Sequence, residues 1–199
     1  MKIIVIGSDE QFEQLSLGAK AVDWVSTTSI DEPTNQVDAD AVFILDETFD
    51  KNFTLPGKPL FINSVIEPLA PSLGAVRING WPGFLENNTW EVAGNVTETS
   101  LAILAGLGKK AILCRDEPGF ISPRVIAMII NEAFFAREDG VSTEPEIDTA
   151  MKLGTNYPYG PFEWGNKIGL RNIYTLLLKL AANDERYRPS AALAKSANS

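Results

Sequence analysis

The chain has 199 residues, 45% of them hydrophobic, which is enough to bury the core of one large domain or two small ones. Its net charge of −9 disfavours binding to nucleic acid, which needs a basic face, and the absence of histidine removes the commonest general base and metal ligand. The single cysteine, Cys114, cannot form an internal disulfide and leaves a zinc site almost excluded, so we expect a cytoplasmic protein without a metal.

Short apolar runs separated by turns predict the strands of the first half of the chain. The segment Lys2–Ile6 is almost wholly apolar and indicates a buried strand. Thr97 or Thr99 can cap a helix over residues 97–107, in which leucines recur at helical spacing. Further strands are predicted at residues 21–25, 39–45, 59–62, 75–78 and 110–114. Strands that alternate with helices predict an α/β domain with a largely parallel sheet.

The pattern then changes from strands to helices. We therefore predict two domains, an α/β domain over residues 1–115 and a helical domain over residues 116–199. Ser122 and Pro123 indicate the start of a long helix, with the serine as its cap, that continues to Glu138. Apolar residues lie nearly all round this helix, which therefore needs cover on several sides, and we predict a homodimer through the helical domain.

Three shorter helices are predicted after the long one. Thr143 and Glu146 form a capping box that begins the second helix, and Gly154 ends it. The other predicted elements are a turn over residues 157–161, a leucine-rich third helix over 168–182 and a short fourth helix after Pro189. No apolar stretch approaches the roughly 20 residues that span a bilayer, so no membrane association is expected.

Three motifs in the helical part carry a family resemblance. They are DEPGFISPRVIAMIINEAFFAREDG at residues 116–140, EIDTAMKLGTNYPYGPFEWGNKIGL at residues 146–170 and RYRPS at residues 186–190. In order and spacing they resemble the C-terminal domain of the 3-hydroxyacyl-CoA dehydrogenase family, which carries Asp-x-Pro-Gly-Phe-Ile, Glu-x-Ile-Asp-x-Ala-Met, Gly-Pro-Phe and Arg-Tyr-x-Pro segments. Residues 38–45 resemble a strand of the same family, so the resemblance extends to the first domain.

The resemblance implies a fold and an activity. The family binds NAD on an N-terminal Rossmann domain, oxidises the 3-hydroxyl of an acyl-CoA in fatty-acid metabolism and dimerises through its helical domain. We therefore expect a truncated, Rossmann-like first domain followed by a helical domain of the 3-hydroxyacyl-CoA dehydrogenase type.

The cofactor motif of such a domain is degenerate in this sequence. A dinucleotide fold needs glycines after the first strand, where backbone amides approach the diphosphate. Gly7 is present, but Asp9 and Phe12 stand at the next two glycine positions, and Ser26 stands where an acidic residue would hold the ribose. The region between the first strand and Asp38 is short for this family and lacks a strand–helix segment. We therefore expect no bound cofactor, although the family uses NAD.

The catalytic residues implied by the resemblance are also incomplete. The family uses a histidine as base, held by a glutamate twelve residues later. Glu91 resembles that glutamate, but Asn79 stands twelve residues before it, and an amide cannot accept a proton at neutral pH. Ser64 corresponds to the family's serine, and Pro123 replaces its asparagine. These positions predict a site that is not competent, and Glu91 is equally well explained as a solvated strand residue.

Three functions are compatible with this sequence. The first is a pseudoenzyme that has lost hydride transfer and binds an acyl-CoA-like ligand or a partner. The second is a genuine 3-hydroxyacyl-CoA (3-hydroxybutyryl-CoA) dehydrogenase of fatty-acid metabolism, in which Glu91 or another carboxylate replaces the histidine. The third is a structural partner of a full-length dehydrogenase, held through the helix that begins at Pro123.

Overall fold

The chain forms two compact units. Our computed structural model describes residues 1–19, 21–28, 38–47, 55 and 57–199. The units are Met1–Phe120 and Ile121–Ser199. The boundary falls after residue 120 rather than after residue 115, because the amide of Gly119 donates to the carbonyl of Val65 (2.8 Å) and holds this segment on the first unit.

Among the described residues, one sheet of seven strands forms the centre of the first unit. The strands are β1 (Lys2–Ile6), β2 (Asp23–Thr27), β3 (Ala41–Ile44), β4 (Leu60–Asn63), β5 (Val76–Ile78), β6 (Thr89–Gly94) and β7 (Lys110–Leu113). Their order is β2-β1-β3-β4-β5-β6-β7, and every neighbouring pair is parallel except β5 and β6. The predicted largely parallel sheet is therefore confirmed, although β6 was not predicted.

The strand order places a topological switch point between β1 and β3. The chain leaves β1 for β2 on one side and later returns to β3 on the other. Among the described residues β2 is the outermost strand on this side of the sheet. In open α/β sheets, ligands bind beyond the carboxyl ends of the strands at such a switch point.

Both faces of the sheet are apolar. On one face Phe43 and Phe61 stack at 4.3 Å between ring centroids, in a core that is covered by two helices, α1 (Asp9–Ser16) and α2 (Glu98–Gly106). A smaller cluster around Ile44 lies on the other face. Burial on both faces explains why the strands are continuous apolar runs rather than alternating ones.

The second unit consists of helices only among its regular elements. The helices are α3 (Ser122–Glu138), α4 (Glu144–Thr155), α5 (Pro161–Ile168), α6 (Leu170–Ala181) and α7 (Ala191–Ala197). Ile130, Phe134, Ile173 and Leu177 are almost fully buried within it. None of the helices in the described part of the chain is long and apolar enough to cross a bilayer.

Two predicted helix ends are wrong by one or two residues. Ser122 lies inside α3 instead of capping it, and Ile121 precedes the helix without a side-chain cap. Gly154 lies inside α4, and the chain leaves that helix through Asn156, whose φ of 56° is left-handed. The capping residue at the other end of α4 is confirmed, since the Glu146 carboxylate accepts the amide of Thr143 at 3.2 Å.

Helix α5 was missed because its start looks like a turn. The segment from residue 157 to Pro161 was predicted as a turn, and the proline in fact occupies the first position of α5, where its missing N–H costs nothing. The predicted helix over 168–182 is α6, and Gly169, with a φ of 95°, separates it from α5.

The motifs of the helical unit have structural roles. The Asp148 carboxylate, on α4, accepts the amides of Phe162 at 2.8 Å and Glu163 at 3.1 Å, and thereby caps α5. A β-carbon on Gly160 would lie 2.3 Å from the Asp148 side chain, so only glycine fits there. The Asp and Gly-Pro-Phe elements of the motif are therefore one helix-capping device.

Candidate functional site

The turn between β1 and α1 lies at the switch point. Ser8 caps α1, its hydroxyl accepting the amide of Gln11 at 3.2 Å while its own amide donates to Gln11 Oε1 at 3.0 Å. The other end of the same side chain, Gln11 Nε2, donates to the carbonyl of Leu45 at 3.1 Å. Because Leu45 follows β3, the Gln11 side chain spans the switch point. A β-carbon on Gly7 would lie 2.9 Å from Gln11 Oε1, which explains why this one of the three motif positions holds glycine.

The two lost glycine positions have ordinary structural roles. Asp9 and Glu10 are exposed in the first turn of α1, where negative charge interacts favourably with the helix dipole. Phe12 packs edge-to-face against Trp24 of β2, with the ring centroids 6.1 Å apart. The third glycine position therefore holds a core residue.

A second set of polar contacts continues along the same edge of the sheet. Asn63, at the end of β4 and 1% exposed, donates from Nδ2 to the carbonyl of Leu45 at 3.0 Å and accepts the amide of Gly80 at 2.9 Å. The indole N–H of Trp81 donates to Glu47 Oε1 at 3.2 Å. Side chains thus connect the ends of β3, β4 and β5.

A dinucleotide does not fit the residues of this edge. Its diphosphate would need backbone donors at the start of α1, but the Ser8 hydroxyl already accepts the amide of Gln11. Asp9 and Glu10 place two negative charges beside the same turn. The Gln11 side chain reaches from α1 to the carbonyl of Leu45, just after β3, and so crosses the same edge of the sheet.

The three candidate catalytic residues lie on neighbouring chain segments. Ser64 follows β4, and its amide donates to the carbonyl of Ile78 at 3.3 Å, immediately before Asn79. The antiparallel ladder pairs Ile78 with Val92, so one more step in the same register sets Asn79 opposite Glu91. The structure therefore brings together the positions that the resemblance indicated.

The polar side chains of this group stabilise turns. The Ser64 hydroxyl donates to the carbonyl of Glu67 at 2.7 Å, and Asn79 Oδ1 accepts the amide of Trp81 at 3.2 Å. Both residues are more than nine-tenths buried, whereas Glu91 is half-buried. Glu91 is the one residue of the three that carries a carboxylate.

Sequence reasoning missed Arg77, the most buried charged residue of the first unit. Its guanidinium donates to the carbonyls of Ser64 at 3.2 Å and Glu117 at 2.5 Å, and its Nε lies 2.9 Å from Asp116 Oδ1. The guanidinium also lies 4.2 Å from the centre of the Phe120 ring. Arg77 therefore fixes both the turn after β4 and the end of the first unit. The sequence feature that could have identified Arg77 is a charged residue within the apolar run of β5.

Cys114 lies near this group but is not a nucleophile. Burial raises the pKa of its thiol, the negative charge of Glu91 raises this pKa further, and Arg77 opposes the shift. The thiol is therefore protonated at neutral pH, and thiols react as thiolates.

The helical unit matches a known family. Residues 119–199 match the model of the 3-hydroxyacyl-CoA dehydrogenase C-terminal domain. A 3-hydroxyadipyl-CoA dehydrogenase of Escherichia coli is 44% identical over 105 residues, which are 52% of this chain and 22% of that protein. A 3-hydroxybutyryl-CoA dehydrogenase of Bradyrhizobium diazoefficiens is 38% identical over 100 residues, 49% of this chain and 34% of that protein. The chain thus matches only a third or less of the length of these relatives.

Solved structures extend the similarity to the first unit. A 3-hydroxybutyryl-CoA dehydrogenase of Escherichia coli K12 matches with a TM-score of 0.58 and 38% identity, over 70% of this chain and 32% of that one. An (S)-3-hydroxybutyryl-CoA dehydrogenase of Ralstonia eutropha matches with a TM-score of 0.71 and 20% identity, over 98% of this chain and 92% of that one. At 20% identity the second match shows the fold alone.

A Rossmann-type sheet followed by a helical unit is the fold class that these observations define. Within that class, the motifs and relatives of the helical unit are specific. Residues 119–199 are similar to the C-terminal domain of the 3-hydroxyacyl-CoA dehydrogenases, and the helical unit carries this similarity.

Proposed function

We propose that this chain is a 3-hydroxyacyl-CoA dehydrogenase-like protein that has lost NAD-dependent hydride transfer and binds an acyl-CoA-like thioester as a cytoplasmic homodimer. One observation carries the proposal: the chain has no histidine, and Asn79, at the position of the family's base, uses its side-chain oxygen to hold the Trp81 amide. A general base contributes about a hundredfold to ten-thousandfold to such reactions. The dinucleotide crevice, filled by Gln11, supports the same conclusion.

The purified full chain is expected to oxidise NADH with acetoacetyl-CoA at less than about 10⁻³ s⁻¹, some ten-thousandfold below an ordinary enzyme, because it lacks the base. Spectrophotometry at 340 nm measures this rate. Glu91→Gln is the control: under our proposal it leaves the background rate unchanged. Turnover in the wild type that is lost in Glu91→Gln would instead establish a dehydrogenase that uses a carboxylate as its base.

That second candidate function, a genuine 3-hydroxybutyryl-CoA dehydrogenase, is favoured by one observation. Glu91 is half-buried and lies opposite Asn79 in the extended register, so a carboxylate is available where the family's base would work.

Calorimetric titration with butyryl-CoA tests the ligand that our first proposal assigns to this chain. Absence of heat up to about 1 mM would exclude an acyl-CoA ligand.

The homodimer is proposed from one face of α3. Ile121, immediately before α3, Val125 four residues later and Phe135 ten residues after that lie on one side of the helix and are 54%, 52% and 38% exposed. A second copy of the chain would bury this apolar stripe. A full-length dehydrogenase of the same family would present a similar helix, so co-purification from the native cell distinguishes a heterodimer.

Val125→Glu is expected to convert the dimer into a monomer, because the carboxylate would have to be buried without a partner. Light scattering after gel filtration measures the mass. Leu153→Glu, on α4, is the control, since Leu153 is 83% exposed and lies off the stripe. A wild-type chain that is monomeric at about 100 μM, far above the Kd of a stable dimer, would contradict the proposal.

A further inference from the structure

The carbonyl of Leu45 accepts two side-chain amides at the switch point. Gln11 Nε2 reaches it from α1 at 3.1 Å, and Asn63 Nδ2 reaches it from β4 at 3.0 Å. A carbonyl oxygen has two acceptor sites, so both are used. Asn63 is 1% exposed, and its own oxygen accepts the Gly80 amide at 2.9 Å. The contacts therefore run without interruption from α1 to the segment after β5.

The carboxyl ends of parallel strands leave polar backbone groups that need partners. In a dinucleotide fold the bound diphosphate and the backbone around it meet at this place. Here Gln11 and Asn63 supply those hydrogen bonds from within the chain.

We infer that the dinucleotide crevice of this protein is closed from within, with Gln11 bridging β1 and β3 where a dinucleotide would lie, so that the sheet unit is a scaffold that needs no cofactor. This inference deepens the proposed function, because it assigns the loss of the cofactor to one side chain. It is also separable from that function: a chain can lack turnover for want of a base whether or not Gln11 bridges the crevice.

Gln11 has two roles that a substitution can separate. Its oxygen completes the capping box of α1 with the amide of Ser8, and its nitrogen bridges to Leu45. Glutamate at this position of a helix completes a capping box as well as glutamine does, and its charge favours the helix dipole. A carboxylate cannot donate to the Leu45 carbonyl, so Gln11→Glu keeps the cap and removes the bridge.

The experiment compares thermal unfolding midpoints of the full chain, measured by circular dichroism. Gln11→Glu is expected to lower the midpoint by about 2–4 °C, and Gln11→Ala, which also loses the capping box, by at least as much. Gln14→Ala is the matched control on the same helix, where the side-chain amide donates to the neighbouring Glu10 at 3.0 Å, and it is expected to stay within about 1 °C of the wild type. If the unfolding midpoint of Gln11→Glu equals or exceeds that of the wild type, the hydrogen bond from Gln11 to the Leu45 carbonyl does not stabilise the protein and the inference is wrong.

Nucleotide binding by the unmodified protein is the second measurement. NADH fluorescence titration of the wild type is expected to show no saturable binding up to about 1 mM, beside an NADH-binding dehydrogenase run in parallel. Saturable binding would overturn the closed crevice. If NADH is neither bound nor oxidised and Gln11→Glu is still neutral, the inference about Gln11 fails and the proposed function stands.

Discussion

Replacing Arg77 with methionine is expected to lower the free energy of unfolding by about 2–4 kcal/mol, the cost of leaving two carbonyl groups without their buried donor. The guanidinium is fully buried, and its loss leaves the carbonyls of Ser64 and Glu117 without their donor. The ion pair with Asp116 and the contact with the Phe120 ring are lost as well. Urea denaturation followed by tryptophan fluorescence measures the change.

Arg115→Met is the matched control for this prediction. Its side chain is 89% exposed and lies 3.8 Å from Glu117, an ion pair of little value in water. We expect a change within about 0.5 kcal/mol. Arg77→Lys should recover only part of the loss, because an ammonium group cannot reach two carbonyls and a carboxylate in the fixed geometry of a guanidinium. If Arg77→Met and Arg115→Met lower the free energy of unfolding equally, the contacts of Arg77 do not stabilise the first unit.

Arg77 also holds an unusual backbone conformation in place. Phe120 has a φ of 47°, in the left-handed region that residues with side chains rarely adopt, and its ring lies against the guanidinium. In Arg77→Met the segment from residue 116 to residue 120 should open more often. Limited trypsin digestion at the exposed Arg115 should therefore become faster. An unchanged cleavage rate would show that Arg77 does not hold this segment in place, even if Arg77→Met lowers the free energy of unfolding.

The strands of the first unit could be predicted because their signal is local. Buried parallel strands are continuous apolar runs, and all six predicted strands lie within two residues of the observed ones, as β3 illustrates at Ala41–Ile44. β6 was missed because Thr89 and Glu91 interrupt its apolar pattern. α5 was missed because its Pro161 start looks like a turn until Asp148 is seen capping it.

The candidate site was harder to predict, since it depends on residues distant in the sequence. The loss of two glycines was visible directly, but Gln11 looked like an ordinary helix residue until its contact with Leu45, 34 positions away, was known. The same holds for Arg77 and the carbonyl of Glu117, 40 positions apart. A sequence shows which chemical groups are missing, whereas the groups that take their place are defined by tertiary contacts.

Gly160→Ala is expected to destabilise the protein by about 2–4 kcal/mol, the sum of overpacking and a lost cap. The new β-carbon would lie 2.3 Å from the Asp148 side chain, which cannot move away without releasing the amides of Phe162 and Glu163. Urea denaturation followed by circular dichroism measures the change. Gly154→Ala is the matched control: nothing lies within 4 Å of its added carbon inside α4, so it should stabilise by about 0.5–1 kcal/mol.

A double-mutant cycle decides whether the cost arises at the cap of α5. If the Gly160→Ala methyl group acts by displacing the Asp148 carboxylate, then Asp148→Ala and Gly160→Ala remove the same two hydrogen bonds, and the double variant should be less destabilised than the sum of the single ones. If the changes in the free energy of unfolding of the two single variants simply add, Gly160→Ala destabilises the protein through packing alone. The Asp and Gly-Pro-Phe elements are far apart in the motif, and this coupling is the physical reason why the helical unit needs both.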